Sequence, residues 1–214
     1  MSEYVWCVRD NVIFDPDLGI NVMGPEWDES LKTGIDKLER RQRHRRGEIM
    51  GADELPKLTY KTESAARSNR TTVPNFSGHG FFFVSKLVAD IMQQFDLGNA
   101  RFFPVEFFEM DKITPCTGGQ VFCLNIGNIK ETFSFEDSPK LLDAQGAERL
   151  RVRPSVNSRT ADDDIALSRS CTTSPDIWVE AKVHNTFFMS DALVQALQAA
   201  GLAGDFHFLR VRVV

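Results

Sequence analysis

The sequence predicts an α+β fold in which two related strand-helix-strand modules are joined by antiparallel strands and preceded by an N-terminal helical extension. The main observation is an internal repeat, because residues 81–108 and 185–213 share one pattern of rings, serine and glycine. The aligned pairs are Phe82 with Phe187, Phe83 with Phe188, Ser85 with Ser190, Gln93 with Gln198, Leu97 with Leu202 and, after a one-residue slip, Gly98 with Gly204, Phe102 with Phe208 and Val105 with Val211. The second observation is the composition, since 17 Phe against 2 Tyr favours strands packed by rings that need no polar partner.

Each copy of the repeat predicts a strand, a capped helix and a second strand. In the first copy Ser85 is the predicted cap, because a serine side chain there accepts a hydrogen bond from a free amide of the first turn. The helix that follows has an apolar stripe that includes Leu87, Gly98 is its predicted end, and Arg101–Phe108 is the predicted second strand. In the second copy the corresponding features are Ser190, Gly201 and a strand over residues 206–214.

The remaining elements divide the chain at residue 75. Residues 1–75 are predicted to be a variable N-terminal segment, and residues 76–214 an α+β domain that contains the repeat. The predicted elements of the first part are a strand over Tyr4–Arg9, a helix over Glu26–Arg46 with Leu38 on its apolar face and Gly47 at its end, and a loop over residues 59–75. The predicted strands of the second part, outside the repeat, cover residues 120–126, 165–169 and 177–181.

Composition and charge exclude some function classes. The 214 residues carry a net charge of -5, and 42% of them are hydrophobic. A general nucleic-acid binder normally has a basic excess, whereas an acidic protein suits a basic partner. The N-terminus has no signal-peptide pattern and the chain has no apolar run that could cross a bilayer, so a cytoplasmic protein with reduced cysteines is expected.

A basic run within the predicted helix, Arg40–Arg46, has two interpretations. Guanidinium groups bind phosphates, so the run could serve a nucleic-acid-associated regulator. Alternatively, the cations are the solvated last turns of a helix, where positive charge complements the carbonyl end. The sequence favours the second interpretation, because the surrounding chain is acidic and no aromatic residue is interleaved with the arginines.

Two acidic groups are the candidate partner-binding residues. One consists of Glu106, Glu109 and Asp111, and the other of Asp162, Asp163 and Asp164. Neither has the spacing of a cation-binding loop, so solvated acidic faces are the ordinary interpretation. As a surface for a basic protein, however, such faces would speed association. The second group lies in a polar insert and is predicted to form a turn.

No catalytic, cofactor-binding or metal-binding residue is predicted. His79, His184 and His207 lack a recognisable nucleophile motif, and no glycine-rich phosphate-binding loop is present. Cys116 and Cys123 are separated by six residues without a nearby histidine, which is not a zinc spacing. A small hydrolase that uses His79 or Cys116 is therefore the last-ranked alternative.

The repeat also resembles a family of bacterial immunity proteins from polymorphic-toxin systems. The runs that carry the resemblance are Gly80–Ser85, Phe95–Gly98, Phe102–Val105, Cys123–Ile126, Asp176–Trp178, Phe188–Asp191 and Leu197–Leu202. They cover about residues 74 to 214 and consist of core and capping residues. The resemblance implies a cytosolic, non-enzymatic protein that binds one cognate toxin, and the toxin that it implies is a nuclease delivered by contact or by a secretion machine. It brings no catalytic residues and no cofactor.

Overall fold

The computed structural model describes residues 4–9, 19–23, 34–67, 72–78, 80–143, 154–184 and 186–214. Their strands are β1 (Tyr4–Arg9), β2 (Ile20–Met23), β3 (Leu58–Lys61), β4 (Phe76–Ser77), β5 (Phe83–Ser85), β6 (Arg101–Phe108), β7 (Val121–Asn125), β8 (Ile129–Lys130), β9 (Ala166–Leu167), β10 (Ile177–Glu180), β11 (Thr186–Met189) and β12 (Phe208–Val213). Their α-helices are α1 (Gly34–Arg45), α2 (Glu63–Arg67), α3 (Lys86–Met92), α4 (Pro139–Asp143) and α5 (Asp191–Ala199). Two 3-10 helices cover Arg169–Thr172 and Ala203–Asp205. This mixture of helices with mainly antiparallel strands confirms the predicted α+β class.

The strands in the described parts of the chain form two six-stranded sheets. The first has the order β2-β3-β6-β7-β5-β4, and the second has the order β8-β10-β11-β1-β12-β9. Each sheet contains one module of the repeat. In both, the two module strands are separated by a strand that is antiparallel to each of them, β7 in the first sheet and β1 in the second. Each helix of the repeat therefore connects two parallel strands across one intervening strand.

The registers show that β1 and β7 occupy equivalent positions in the two sheets. Cys123 of β7 lies opposite Phe83, and Cys7 of β1 lies opposite Phe188, which is the residue aligned with Phe83 in the repeat. The neighbouring residues follow the same register. In this comparison Val5 of β1 is equivalent to Val121 of β7, Trp6 is equivalent to Phe122, and Val8 is equivalent to Leu124. By the same comparison β4 corresponds to β10 and β3 to β9. The repeat thus comprises five strands per copy, and a strand from the distant N-terminal part of the chain completes the second copy.

The two modules pack against each other around one pair of equivalent residues, Phe82 and Phe187. The rings of Phe82 and Phe187 are 4.8 Å apart and both side chains are buried. Phe76 stacks on Phe206 at 4.8 Å, and the Asn75 amide donates to Asp205 Oδ2 at 2.6 Å. Contact between corresponding residues is the arrangement that a local two-fold relation produces, as in an isologous dimer interface.

Each sheet buries its second face under the segments that the two copies do not share. On the first sheet, Phe83 and Cys123 pack with Met50 and Leu55. On the second sheet, Trp178, Phe188 and Val211 pack with residues of the insert that follows β8, among them Phe133, Leu141, Ile165 and Cys171. Successive side chains of β1, and likewise of β7, therefore enter different cores, because side chains alternate between the two faces of a strand.

The predicted helix caps are confirmed, but the predicted end of the first helix is wrong. The Oγ atom of each serine accepts a hydrogen bond from the backbone amide three residues later. Ser85 accepts from Val88 and Ser190 accepts from Leu193, both at 3.3 Å. Gly201 ends α5 with a φ of 71°, a left-handed conformation that glycine adopts without strain. In contrast α3 ends at Met92, and Gly98 lies in the later turn before β6. Leu87 of the predicted apolar stripe is 62% exposed.

The N-terminal third differs from its prediction in several places. Tyr4–Arg9 is a strand as predicted, and the described part of the predicted helix runs from Gly34 to Arg45, residues 26–33 lying outside the described ranges. Gly47 follows it with a φ of 75°, where an added Cβ would lie 2.9 Å from Val179 Cβ. Leu38 is exposed rather than buried. The predicted loop over 59–75 is wrong in part, because it contains most of β3 and all of α2.

The boundary at residue 75 stays a prediction. The described strands before it belong to both sheets, β1 to the second and β2 and β3 to the first. Within the described ranges, no helix has the length and apolar character that crossing a bilayer requires.

Candidate functional site

The acidic triplet at residues 162–164 forms the predicted turn, and its carboxylates are largely engaged within the molecule. Asp163 makes a two-pronged ion pair with the guanidinium of Arg210 on β12, which holds the pKa of Asp163 below its ordinary value. Asp162 Oδ1 accepts from the Arg210 amide at 2.8 Å, and Asp164 Oδ2 accepts from the Ala161 amide at 2.8 Å. These bonds tie the turn to β12 of the second sheet, and Asp162 is the most exposed of the three acidic residues.

The other acidic group lies at the end of β6 in the first sheet. Glu106 is exposed on the strand. Glu109 accepts from Lys61 Nζ at 2.9 Å, and this cation lowers the pKa of the Glu109 carboxyl. Asp111 accepts from the Thr114 hydroxyl at 2.6 Å and from the amides of Ile113 and Thr114 at 2.9 and 2.8 Å, which lowers its pKa as well. The structure thus places the two acidic groups on different sheets.

Residues 109–114 connect β6 to the segment before β7 and form a tight, internally bonded loop. The Glu109 amide donates to the Thr114 carbonyl at 2.8 Å, and the Lys112 amide donates to the Glu109 carbonyl at 3.0 Å. Lys112 has a φ of 62°, a conformation that side-chain-bearing residues seldom adopt, and its Nζ lies 4.4 Å from the centre of the Tyr60 ring. The carboxylate of Asp111 spans the turn. We call residues 109–114 the β6 loop.

The β6 loop presents two apolar side chains to solvent. Ile113 is 80% exposed and Met110 is 49% exposed. Sequence reasoning missed both residues, because they lie between the acidic side chains without any periodic pattern. The one feature of the sequence that could have indicated them is their position beside Glu109 and Asp111, which are candidates because of their charge. Exposed anchors on a braced loop, bordered by carboxylates, are suited to contact another protein.

The basic run of α1 is built into the fold rather than solvated. Arg43 pairs with Glu48 at 2.9 Å and with Glu54, and Arg45 Nη2 donates to the Gly78 carbonyl at 2.6 Å. His44 is fully buried and its Nε2 donates to the Leu124 carbonyl at 2.9 Å. The interpretation of these turns as a solvated helix end is therefore wrong in part, because several of the side chains attach α1 to the first sheet.

The role of Arg43 gives a stability prediction. Because both of its carboxylate partners lie on the segment that follows α1, Arg43→Ala should lower the melting temperature by about 1–3 °C, in the range of part-exposed ion pairs. Calorimetry would measure the shift. Arg46→Ala is the matched control, since Arg46 pairs with Glu48 from a more exposed position.

A nucleic-acid role for α1 would require a different result. The Arg43→Ala chain would then also lose an affinity for DNA or RNA that weakens steeply with salt. Gel-shift titrations at two salt concentrations separate these outcomes.

The histidines and cysteines considered for catalysis are not assembled into a reactive group. His184 and His207 are exposed at separate places, and His79 lies outside the described residues. Burial, together with the neighbouring Glu109, raises the pKa of the Cys116 thiol to about 12, and burial raises the pKa of Cys7 to about 12 as well. Thiolates at these positions are disfavoured at neutral pH. In the described part of the chain no three His, Cys, Asp or Glu side chains lie close enough to hold a metal ion.

A mostly apolar groove of about 480 Å³ lies beside the start of α3. Its lining includes Val73, Leu87, Gly119 and Leu202, and the salt bridge between Lys86 and Asp90 borders it. The sequence does not indicate this groove, because the helical period predicts a buried Leu87. The groove is a second surface on which a partner side chain could lie.

Comparison with known protein families agrees with the resemblance seen in the repeat. A family model described as an immunity protein family (Imm11) matches residues 12–212. The match begins within the N-terminal third, which the resemblance left out, and it spans both modules. The comparison with curated proteins gives no match. Since the family model covers nearly all of the sequence, the chain belongs to the Imm11 family of immunity proteins.

Proposed function

We propose that the protein binds a cognate bacterial toxin in the cytoplasm and neutralises it as a non-enzymatic, stoichiometric inhibitor. The observation that carries this proposal is the match of the immunity family model to residues 12–212. The raised pKa of the Cys116 thiol is consistent with a binding role, because it disfavours the thiolate at neutral pH.

The proposed toxin is a nuclease. A nuclease must bind phosphates, and it does so with a basic surface. This chain has a net charge of -5, and it exposes carboxylates at Glu106, Asp111 and Asp162. Complementary potentials of this kind accelerate association and disfavour wrong partners. Binding over the basic surface of the nuclease would exclude its nucleic-acid substrate.

Co-expression with the toxin encoded beside this gene tests the proposal. Cells that make both proteins should grow at the rate of cells without toxin, and cells that make the toxin alone should stop growing. A chain carrying Phe187→Ala is the matched control, since loss of a buried ring weakens the fold without changing the surface. Equal killing with and without the wild-type chain would show that the proposed function is wrong.

Titration of purified toxin separates inhibition from enzymatic detoxification. A stoichiometric inhibitor should abolish toxin activity at about one chain per toxin molecule, as expected for a tight complex. Complete neutralisation by a small fraction of an equivalent, growing with time, would contradict the non-enzymatic part of the proposal.

A further inference from the structure

We propose that the β6 loop is the docking element for the toxin, with Ile113 as an anchor that enters an apolar socket bordered by basic residues on the toxin. This inference rests on the proposed function and assigns it to one surface. Three observations support it: the exposure of Ile113 and Met110, the difference between the two modules at this position, and the charges around the loop.

The exposed apolar side chains are held in place before any partner arrives. Asp111 accepts three hydrogen bonds within the loop, and the Glu109 amide donates to the Thr114 carbonyl. Ile113 is nonetheless 80% exposed. A side chain on a braced loop loses little conformational freedom on binding, so most of the gain from burying it appears as affinity. A few such anchors dominate the binding energy of many protein interfaces.

The fold of a module does not require this loop. In the first sheet, β6 leads through the loop to β7, which lies antiparallel beside it. In the second sheet the equivalent strands β12 and β1 pair in the same register, although they lie at opposite ends of the described chain. The same sheet geometry therefore forms without a connection of this kind. The requirements of folding therefore do not explain why Met110 and Ile113 are apolar and exposed.

The charges near the loop specify the chemistry of the partner. Glu106 and Asp111 are exposed, and the Glu109 carboxylate is paired with Lys61. Lys112 points back over the Tyr60 ring rather than across the acidic side chains. An apolar centre with a carboxylate border fits a socket with a basic border, as a nuclease surface offers. The groove beside α3 has no comparable border, because Lys86 and Asp90 neutralise each other.

The decisive experiment measures binding to the purified, catalytically inactivated toxin encoded beside this gene. Ile113→Asp should weaken the complex by about 100-fold or more, in the range of interface anchors. Leu87→Asp is the matched control, because Leu87 is an exposed apolar side chain of the same size as Ile113 but lies in the α3 groove. It should change the affinity by less than about threefold. Both variants should keep the wild-type melting temperature, since neither side chain is buried.

Each outcome decides the matter. Unchanged affinity of Ile113→Asp overturns the assignment while the proposed function stands, and loss of binding by Leu87→Asp alone moves the site to the groove. A wild-type chain that neither binds nor protects contradicts the proposed function itself. Glu106→Lys should slow association and reduce its dependence on salt, with little change in dissociation. Association kinetics equal to the wild type would show that the border of the socket is not basic.

Discussion

Replacing Phe187 with alanine is expected to lower the free energy of unfolding by about 3–5 kcal/mol, the range for deleting a large ring from a packed core. Phe187 is fully buried, and its ring centre lies 4.8 Å from Phe82 and 5.6 Å from Phe76. The variant therefore leaves a cavity where the two modules meet, bordered by rings of the other module. Rigid strands on both sides limit the collapse that would fill the cavity.

Urea denaturation followed by fluorescence measures this loss. Phe135→Ala is the matched control, because Phe135 is 47% exposed and contacts Phe133 at the edge of the second core. It should cost about 1 kcal/mol or less, as for most part-exposed positions. Similar losses in the two variants would contradict the view that the modules depend on their shared core. Unfolding in two separate steps by the wild type would contradict it as well.

Mild acid is expected to destabilise the protein through His44. Burial between the Phe81 and Phe82 rings and the neighbouring Arg45 lower the pKa of His44 to about 3, although the bond to the Leu124 carbonyl opposes the shift. The unfolded chain takes up a proton on this side chain near pH 6.5, whereas the folded chain does not. Stability must therefore fall as the pH falls from 6.5 towards 3, by about 1.4 kcal/mol per pH unit.

Comparison with His44→Gln isolates this effect. Glutamine can still donate to the Leu124 carbonyl but does not titrate, so its unfolding free energy should not carry the His44 contribution. Between pH 6.5 and 5 the wild type should lose about 2 kcal/mol more than the variant. Glu180 acts in the opposite direction, because burial raises its pKa, but it is present in both chains and cancels. Parallel stability curves for the two chains would show that His44 is not buried in its neutral form.

The repeat allowed most of the module architecture to be predicted, since Ser85 and Ser190 are local signals whose physical effect is independent of distant contacts. The place of β1 was not predictable in the same way. Its alternation identified a strand, but the choice of β11 and β12 as partners depends on residues at the far end of the chain. The similarity of Val5–Val8 to Val121–Leu124 is too short to be recognised without the register.

Side-chain exposure on the short helices was the weakest part of the prediction. Leu87 was assigned to the core because it matches the helical period, but α3 has seven residues and its buried side chains are those of Val88, Ala89 and Met92. The burial of His44 could not be predicted from its neighbours, because it stands between arginines. The Leu124 carbonyl that accepts its hydrogen bond is 80 positions away in the sequence. Burial at such positions is decided by tertiary packing rather than by local sequence.

The acidic candidates illustrate what charge alone reveals. Charge alone predicts both groups as partner-binding residues and does not show which carboxylates are free to bind. The structure shows that Asp163 is paired with Arg210, whereas Glu106 is exposed. The apolar side chains of the β6 loop could not be predicted as surface anchors, because their exposure follows from a turn that Asp111 stabilises. Their role in toxin binding stays a prediction until the variants are measured.

The position of β1 also determines when the molecule can be completed during synthesis. Val8 receives a hydrogen bond from Thr186, which is 178 positions later in the chain. At ordinary translation rates this separation corresponds to roughly 10–40 s, during which β1 has left the ribosome without its neighbours. The strands β2 to β7 are close in sequence and can assemble meanwhile. During synthesis β1 is therefore expected to stay unpaired, and an unpaired apolar strand invites aggregation or chaperone binding. The shared core can close only when β12 has emerged, because β12 is one of the two strands that flank β1.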